Sequence, residues 1–317
     1  MRSFDLMAFG EVALDVILCG VDQVPRQWSV LGKAKAANLF TAGSAGYVAQ
    51  CFSKLGGRAA IMGRIGDDNA GRFILEGFKQ CGVSTNNLLV EKSVETEISM
   101  VVLYNDGNKS SVVSSILPLK LAQFGKKCLT GGRAFHVGGY LLYPNLWRKR
   151  ILPWIRLAKV EGQLVSMDPQ MSATGKWSEP FQGIVEHVDV LLLDEDEAKK
   201  ISKRERLADA IEKLLKDGAS VVAVKAGRQG CILGHDGRMR RIPRFKTKPV
   251  STIGAGDAFD AAFIYGSLQG WPVEKRGQFA NVVAAISTTQ LGCMTAVPQA
   301  QLAERITESY YGHPEVP

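Results

Sequence analysis

Ser251-Thr252-Ile253-Gly254-Ala255-Gly256-Asp257-Ala258-Phe259 leads from a short polar turn into an apolar run that continues to Leu268. Gly254, Ala255 and Gly256 carry little or no side chain, so a ligand can come close to their backbone amides. The first N–H groups of a helix lack intrahelical partners, and the helix dipole favours negative charge beside them. A turn of small residues at a helix start is therefore a cradle for an anion, suited to a phosphoryl group in transfer. Asp257 falls in the first helical turn, facing the same anion. A carboxylate there is expected to be ionised at neutral pH and to accept the proton of an attacking hydroxyl. Glycine-rich turns before helices are common, and an Asp in the first turn is also ordinary capping, so the segment alone leaves both readings open.

Upstream of this turn the chain alternates. Strands are predicted at Ala134–Val137, Leu164–Met167, Val188–Leu193 and Val221–Val224, with helices between them at Leu146–Val160, Pro180–His187 and Arg206–Lys216. Strand, helix, strand at this spacing implies parallel βαβ units in a layered α/β fold. Further strands are expected at Cys231–Gly234 and Met239–Ile242, and helices at Ala258–Leu268, Val273–Leu291 and Gln299–Tyr310.

The N-terminal third is mixed. Leu6–Phe9 is an apolar strand, followed by Gly10-Glu11 and a second apolar piece ending near Leu18. A small-residue loop, Thr41 to Gly46, feeds a helix over Tyr47–Leu55 that Gly56-Gly57 closes. A strand at Ala59–Met62 precedes Asp67-Asp68-Asn69, whose side chains suit the N-cap of a helix running to Cys81. Glu97–Tyr104 and Ser110–Ile116 are β-rich around Asn105-Asp106-Gly107-Asn108, which reads as a hairpin set among helices.

At 317 residues, 46% hydrophobic and 22% charged, the chain can bury a full core, and neither disorder nor coiled coil is expected. The net charge of +8 is scattered and does not alternate with stacking aromatics, so no nucleic-acid partner is expected. Six well-separated cysteines with no CxxC pair, and histidines that do not cluster near them, give no zinc site and no disulfide framework. Asp5, Glu11 and Asp15 interrupt the apolar N-terminus, and no run of about 18 apolar residues exists to span a membrane. A soluble cytoplasmic protein is the expectation.

Gly254-Ala255-Gly256-Asp257-Ala258-Phe259 resembles the C-terminal signature of the ribokinase-like (PfkB) carbohydrate kinases, and ordered matches extend along nearly the whole chain. Gly10-Glu11 followed by Asp15 is similar to the family's opening strand, whose aspartate holds substrate hydroxyls. Gly43–Leu55 with Gly56-Gly57, then Gly63, Gly66-Asp67-Asp68 and Gly71, resembles its N-terminal signature, and Asp168-Pro169 a family Asp-Pro element. The segment from Lys225 through Gly227 to Gly230 resembles the nucleotide-side glycine loop, with Asn281 in the adenine-side helix. Asp194 to Glu197 stands where the family carries an Asn-x-x-Glu motif linked to magnesium. Neither a Walker-type P-loop nor a dinucleotide-binding fingerprint after the first strand is present, which agrees with this resemblance.

The resemblance implies a single kinase domain over residues 1–317. Its fold is a three-layer α/β sandwich with a central, mostly parallel sheet and a small β-sheet lid from about residues 12–40 and 95–116. It implies ATP-dependent phosphorylation of a hydroxyl on a sugar or sugar-like molecule. Asp257 is then the base and Gly254, Ala255 and Gly256 the anion cradle. Asp15, Gly43, Ser44 and Tyr47 hold the acceptor, and Lys225, Gly227, Gly230 and Asn281 the nucleotide. Glu197, more than Asp194, orders water around Mg²⁺. In many relatives the lid also forms a homodimer contact. A phosphosugar or nucleoside acceptor, or a catalytically silent binding protein, are the competing readings.

Three residues depart from the pattern. Tyr47 stands where an asparagine amide commonly binds sugar hydroxyls; a phenol can stack on a ring or narrow the pocket, or pack into its helix. Ser251 replaces an aspartate that helps to bind a monovalent cation, which weakens the expectation of potassium activation. Asp194 replaces an asparagine, and the acidic run it begins also suits a helix N-terminus. His136, at the end of a strand, and Arg64 or Arg133, as phosphate-neutralising cations, are further candidates that the sequence does not place.

Overall fold

The computed structural model describes residues 3–312 apart from Gly107 and Cys293. In chain order its strands are β1 (Leu6–Gly10), β2 (Ala13–Val21), β3 (Ala36–Ala42), β4 (Ala59–Gly66), β5 (Ser84–Glu91), β6 (Ile98–Tyr104), β7 (Lys109–Val113), β8 (Ala134–Gly138), β9 (Leu164–Asp168), β10 (Val190–Asp194), β11 (Val221–Lys225), β12 (Cys231–His235) and β13 (Arg238–Ile242). The helices are α1 (Ser44–Lys54), α2 (Asn69–Gln80), the short α3 (Lys127–Thr130), α4 (Leu152–Val160), α5 (Glu195–Ser202), α6 (Leu207–Lys216), α7 (Ala255–Leu268), α8 (Val273–Ser287) and α9 (Ala300–Tyr311).

Nine strands form the main sheet in the order β13-β12-β11-β10-β9-β8-β1-β4-β5. The seven from β11 to β5 are parallel, and β12 and β13 add an antiparallel edge. Alternation along β1 divides the core: Leu6 and Ala8 face a cluster built with α1, α7 and α8, whereas Met7 and Phe9 face one built with α4, α5 and α6. Both faces are thus covered by helices, as a buried parallel sheet requires. The remaining strands form a second sheet, β3-β2-β6-β7, in which Asp15, Ser99 and Val113 stand side by side.

Parallel order brings the carboxyl ends of the strands to one edge. Gly10 pairs with Gly138, Gly138 with Asp168, and Asp194 with Lys225. Chain order reverses beside β1, which has β4 on one side and β8 on the other. The crevice outside the strand ends at such a reversal is where open α/β sheets bind ligands. The second sheet emerges there, since β2 begins three residues after β1 ends.

Several elements differ from expectation. The helix predicted over Pro180–His187 is two separate 3₁₀ turns, Glu179–Phe181 and Val185–His187, because Gly183 between them is left-handed at φ 74°. The helix predicted from Leu146 begins at Leu152, after Arg148 has taken a positive φ, and carries Pro153 in its first turn, where a missing N–H costs least. The helix predicted to Leu291 ends at Ser287. Strand β5 was not anticipated. Of the cysteines, five are free thiols and Cys293 lies outside the described residues. Among the described residues no helix is long and apolar enough to cross a membrane.

Candidate active site

Helices α1 and α7 pack against each other, and their N-termini meet above the carboxyl edge of the main sheet. Gly254 is the N-cap of α7 at φ 73°, a left-handed conformation that side chains disfavour. This kink opens a 14-residue helix whose Ala255 N–H donates to the Thr252 carbonyl at 3.3 Å. The 252–257 segment is the wall between two cavities. One, of about 390 Å³, is lined by Glu11, Asp15, Ser44, Tyr47, Gly254 and Asp257, with Gly43, Gln170 and Met171 at its sides and Ser99, Val101 and Lys109 of the small sheet above it. The other, of about 530 Å³, is lined by Lys225, Gly227, Arg228, Gly230, Ala255, Gly256 and Asn281, and by Arg244, Phe245 and Thr288 further out. Thr252 borders both.

The first cavity gathers carboxyl groups. Burial pushes Asp257 well above the usual carboxylate range, and the fields of Asp168 and Glu11 add to this while Lys225 opposes it. The surroundings of Asp257 thus favour the protonated carboxyl more than the sequence alone suggests. Asp15 is pushed up to about 6, by burial first and then Glu11, although the Tyr47 hydroxyl donates to its Oδ2 at 2.6 Å and favours the charged form. Tyr47 thus serves the pocket by holding Asp15. Glu11 Oε2 accepts the backbone N–H of Ser44 at 2.8 Å. Behind it Glu97, only 1% exposed, is raised to about 9 by burial and by the field and hydrogen bond of Glu11.

The second cavity presents cations, amides and apolar surface. Lys225 lines it, but its ammonium turns inward to Asp168 Oδ2 at 2.6 Å and to both oxygens of Asp260 at 3.1 and 3.2 Å. The Asn281 amide donates to the carbonyls of Ile242 and Pro243, tying α8 to the end of β13.

Asp194 and Glu197 line neither cavity. They form a reciprocal capping box: Glu197 N–H donates to Asp194 Oδ1 and Asp194 N–H to Glu197 Oε2, both at 2.7 Å. Asp194 is exposed, while Glu197 is buried and raised to about 8, by burial first and then the field of Asp168. Among the described residues no group of three or more His, Cys, Asp and Glu is arranged to hold a metal ion. Ser251 is buried, and its Oγ accepts the Ile253 N–H at 3.3 Å. His136 is fully buried against Ser166 and faces neither cavity. Arg64 is bound to Glu91, and Arg133 to Asp5 and the Leu268 carbonyl, and neither lines either cavity.

Sequence reasoning missed Glu97, Asp260, the Glu11–Ser44 contact and the outer lining of both cavities. Asp260 alone left a local signal, as a charge inside the apolar run Ala258–Ile264.

The pfkB family carbohydrate kinase model matches residues 3–300. The chain belongs to this family. It is a sugar kinase, transferring phosphoryl to an alcohol group. Similar curated proteins include fructokinase-1 of Oryza sativa subsp. japonica, 26% identical over 97% of this chain and 99% of the relative. Another is a 5-dehydro-2-deoxygluconokinase of Clostridium perfringens, 26% identical over 95% and 91% respectively. Among solved structures, a ribokinase of Arabidopsis thaliana complexed with ribose and ATP superposes with a TM-score of 0.81 at 21% identity, covering 96% of this chain and 99% of the other. At that identity the likeness speaks for the ribokinase-like fold, including the small lid sheet.

Proposed function

We propose that this sugar kinase binds ATP in the cavity lined by Lys225–Gly230 and Asn281, and phosphorylates an uncharged polyhydroxylated acceptor in the cavity lined by Asp15 and Asp257. The observation that carries this reading is the shared wall. Ala255 and Gly256 line one cavity and Asp257 the other, so a phosphoryl group cradled at residues 254–256 lies next to the hydroxyl that Asp257 serves. Asp257 acts as base in its ionised form. Its raised proton affinity then favours taking the proton of the alcohol. Asp15, held by Tyr47, accepts hydrogen bonds from acceptor hydroxyls, with the start of α1 at Gly43 and Ser44 beside it.

Three carboxyl groups against the single cation Lys109 make the acceptor cavity a poor host for a phosphosugar. Mg²⁺ would be bound mainly by the nucleotide's own phosphates, since Glu197 and Asp194 are engaged with each other in the capping box and line neither cavity. The metal would supply neutralisation of phosphate charge. Ser251, engaged with Ile253, favours turnover without potassium. The outer face of the lid leaves Leu39, Met100 and Val112 exposed, an apolar strip that a second copy of the chain would cover as a homodimer.

The test is acceptor-dependent ADP release from ATP across neutral pentoses, hexoses, cyclitols, sugar acids, nucleosides and phosphosugars. Turnover on an unphosphorylated polyol is expected. A preference for phosphosugars would overturn the acceptor assignment, and no turnover on any class would favour a silent binding protein.

A further inference from the structure

Lys225 sits at the end of β11 beside the nucleotide cavity, yet its ammonium is spent on two carboxyl groups. Asp260 is completely buried and Asp168 is 5% exposed. The three residues belong to three elements: the end of β9, the end of β11, and α7 three residues past Asp257. A Cβ added to Gly256 would stand 3.6 Å from Lys225 Nζ, so the ammonium lies directly behind the small-residue turn. Buried ion pairs are weak sources of net stability, because desolvation offsets their attraction, and apolar side chains of similar volume often serve as well. Three ionisable groups at this place therefore call for a role beyond packing.

We propose that Asp168, Lys225 and Asp260 are positioning residues, a buried ion triad that ties the first turns of α7 to the ends of β9 and β11 and fixes one positive charge behind the anion cradle. Lys225 on this account is not a ligand of the nucleotide. Its geometry serves catalysis in two ways. The tether holds the amides of Ala255 and Gly256, and the Asp257 carboxyl, in one fixed relation to the sheet edge. The charge is held in place beside the cradle, and a fixed cation costs no reorganisation when negative charge arrives. Burial alone would strip the proton from Lys225, but the two carboxyl groups outweigh it and hold its proton affinity well above the ordinary value. Burial raises the proton affinity of Asp260, with Lys225 opposing it, whereas at Asp168 burial is outweighed by the field of Lys225 and the hydrogen bonds of Asp260 and Lys225, which lower it. The catalytic consequence rests on the proposed kinase reading; the tether itself does not.

Two variants of the full chain test it, Lys225→Met and the double variant Lys225→Met/Asp168→Asn, which removes one charge of each sign. Lys225→Met is expected to lower kcat roughly 100-fold and to leave the calorimetric affinity for ATP within about threefold. It should also speed hydrogen exchange of the amides from Gly254 to Ala258. The double variant should recover the melting temperature but not kcat. ATP binding weakened more than about tenfold with kcat retained would make Lys225 a nucleotide ligand and overturn the proposal. Wild-type kcat in the double variant would overturn it as well, leaving the triad a stability element. A wild-type enzyme inactive on every acceptor would defeat the kinase reading instead, and amide exchange together with ATP affinity would still decide the tether.

Discussion

The two cavities that meet at residues 252–257 are opposites in charge. Glu11, Asp15 and Asp257 face one, with Lys109 as its only lining cation; Lys225, Arg228 and Arg244 face the other, with no carboxyl among the described lining residues. Only a kinked turn separates them. On the proposed reading one helix start serves two substrates: Ala255 and Gly256 line the nucleotide cavity, while Asp257 lines the acceptor cavity. Crowding has a cost that differs between the two. On the acid side burial and the field of Glu11 raise the proton affinity of Asp15 and Asp257. On the basic side Arg228 and Arg244 are exposed, while Lys225, turned inward, is compensated by Asp168 and Asp260.

The hardest way to break this comparison is to neutralise the acid side at its centre. Asp257→Asn keeps the shape but cannot take a proton, and kcat should fall roughly 1,000-fold or more while ATP affinity is kept. The same substitution should raise the melting temperature at neutral and alkaline pH. Burial raises the folded-state pKa of Asp257, so its contribution to stability is present at low pH and lost as pH rises through that raised value. Asparagine removes the dependence. Retained turnover would refute Asp257 as the base, and a lower melting temperature would refute the account of its burial.

A smaller effect separates what the two glycines of the wall do. Gly254 at φ 73° is demanded by the backbone itself, so Gly254→Ala should cost about 1–2 kcal/mol of stability, read as a lower denaturant midpoint. Gly256 has no such conformation, and a methyl there meets nothing of the protein closer than 3.6 Å. Gly256→Ala should fold with unchanged stability, its methyl making only ordinary contact with Lys225, and should lose about tenfold in kcat/KM for ATP because the methyl also narrows the nucleotide cavity that both residues line. Unchanged kinetics would place the phosphate elsewhere.

Much of this arrangement could be read from the chain because its signals are local. The Gly254–Asp257 turn, the β6–β7 hairpin and the strand runs at β8 to β11 each declare themselves within a few residues, through small side chains, turn residues or apolar periodicity. Strand β5 does not, since it lies at the sheet edge with only Leu88 buried, and its polar sequence lacks a core-facing pattern. The 180–187 segment has apolar residues at suggestive spacing, but the conformation of one glycine overrides them. Electrostatics were the least legible. Lys225 meets Asp260 35 positions away and Asp168 57 away, and Tyr47 meets Asp15 32 away, so nothing local predicts either pairing. Asp257 lies in the cavity with Asp15, as the sequence suggested, yet its proton affinity depends on neighbours that only the folded sheet assembles.

The gentlest perturbation tests whether the acid side titrates independently of the basic side. Asp15, with a pKa of about 6 in the folded protein, should be ionised at neutral pH and protonated below that value. A protonated carboxyl is a weaker partner for acceptor hydroxyls, so the KM of the acceptor should climb as pH falls through about 6, while the KM of ATP stays flat over the same range. The Tyr47 hydroxyl stabilises the charged form, and deleting it must raise the proton affinity of Asp15 further. In Tyr47→Phe the climb in acceptor KM should accordingly begin about one pH unit higher, with kcat at pH 8 almost unchanged. A limb that stays in place would mean that Tyr47 merely packs beside Asp15. A parallel rise in the KM of ATP would trace the limb to the shared wall instead, and the division of the site into two independently titrating halves would not hold.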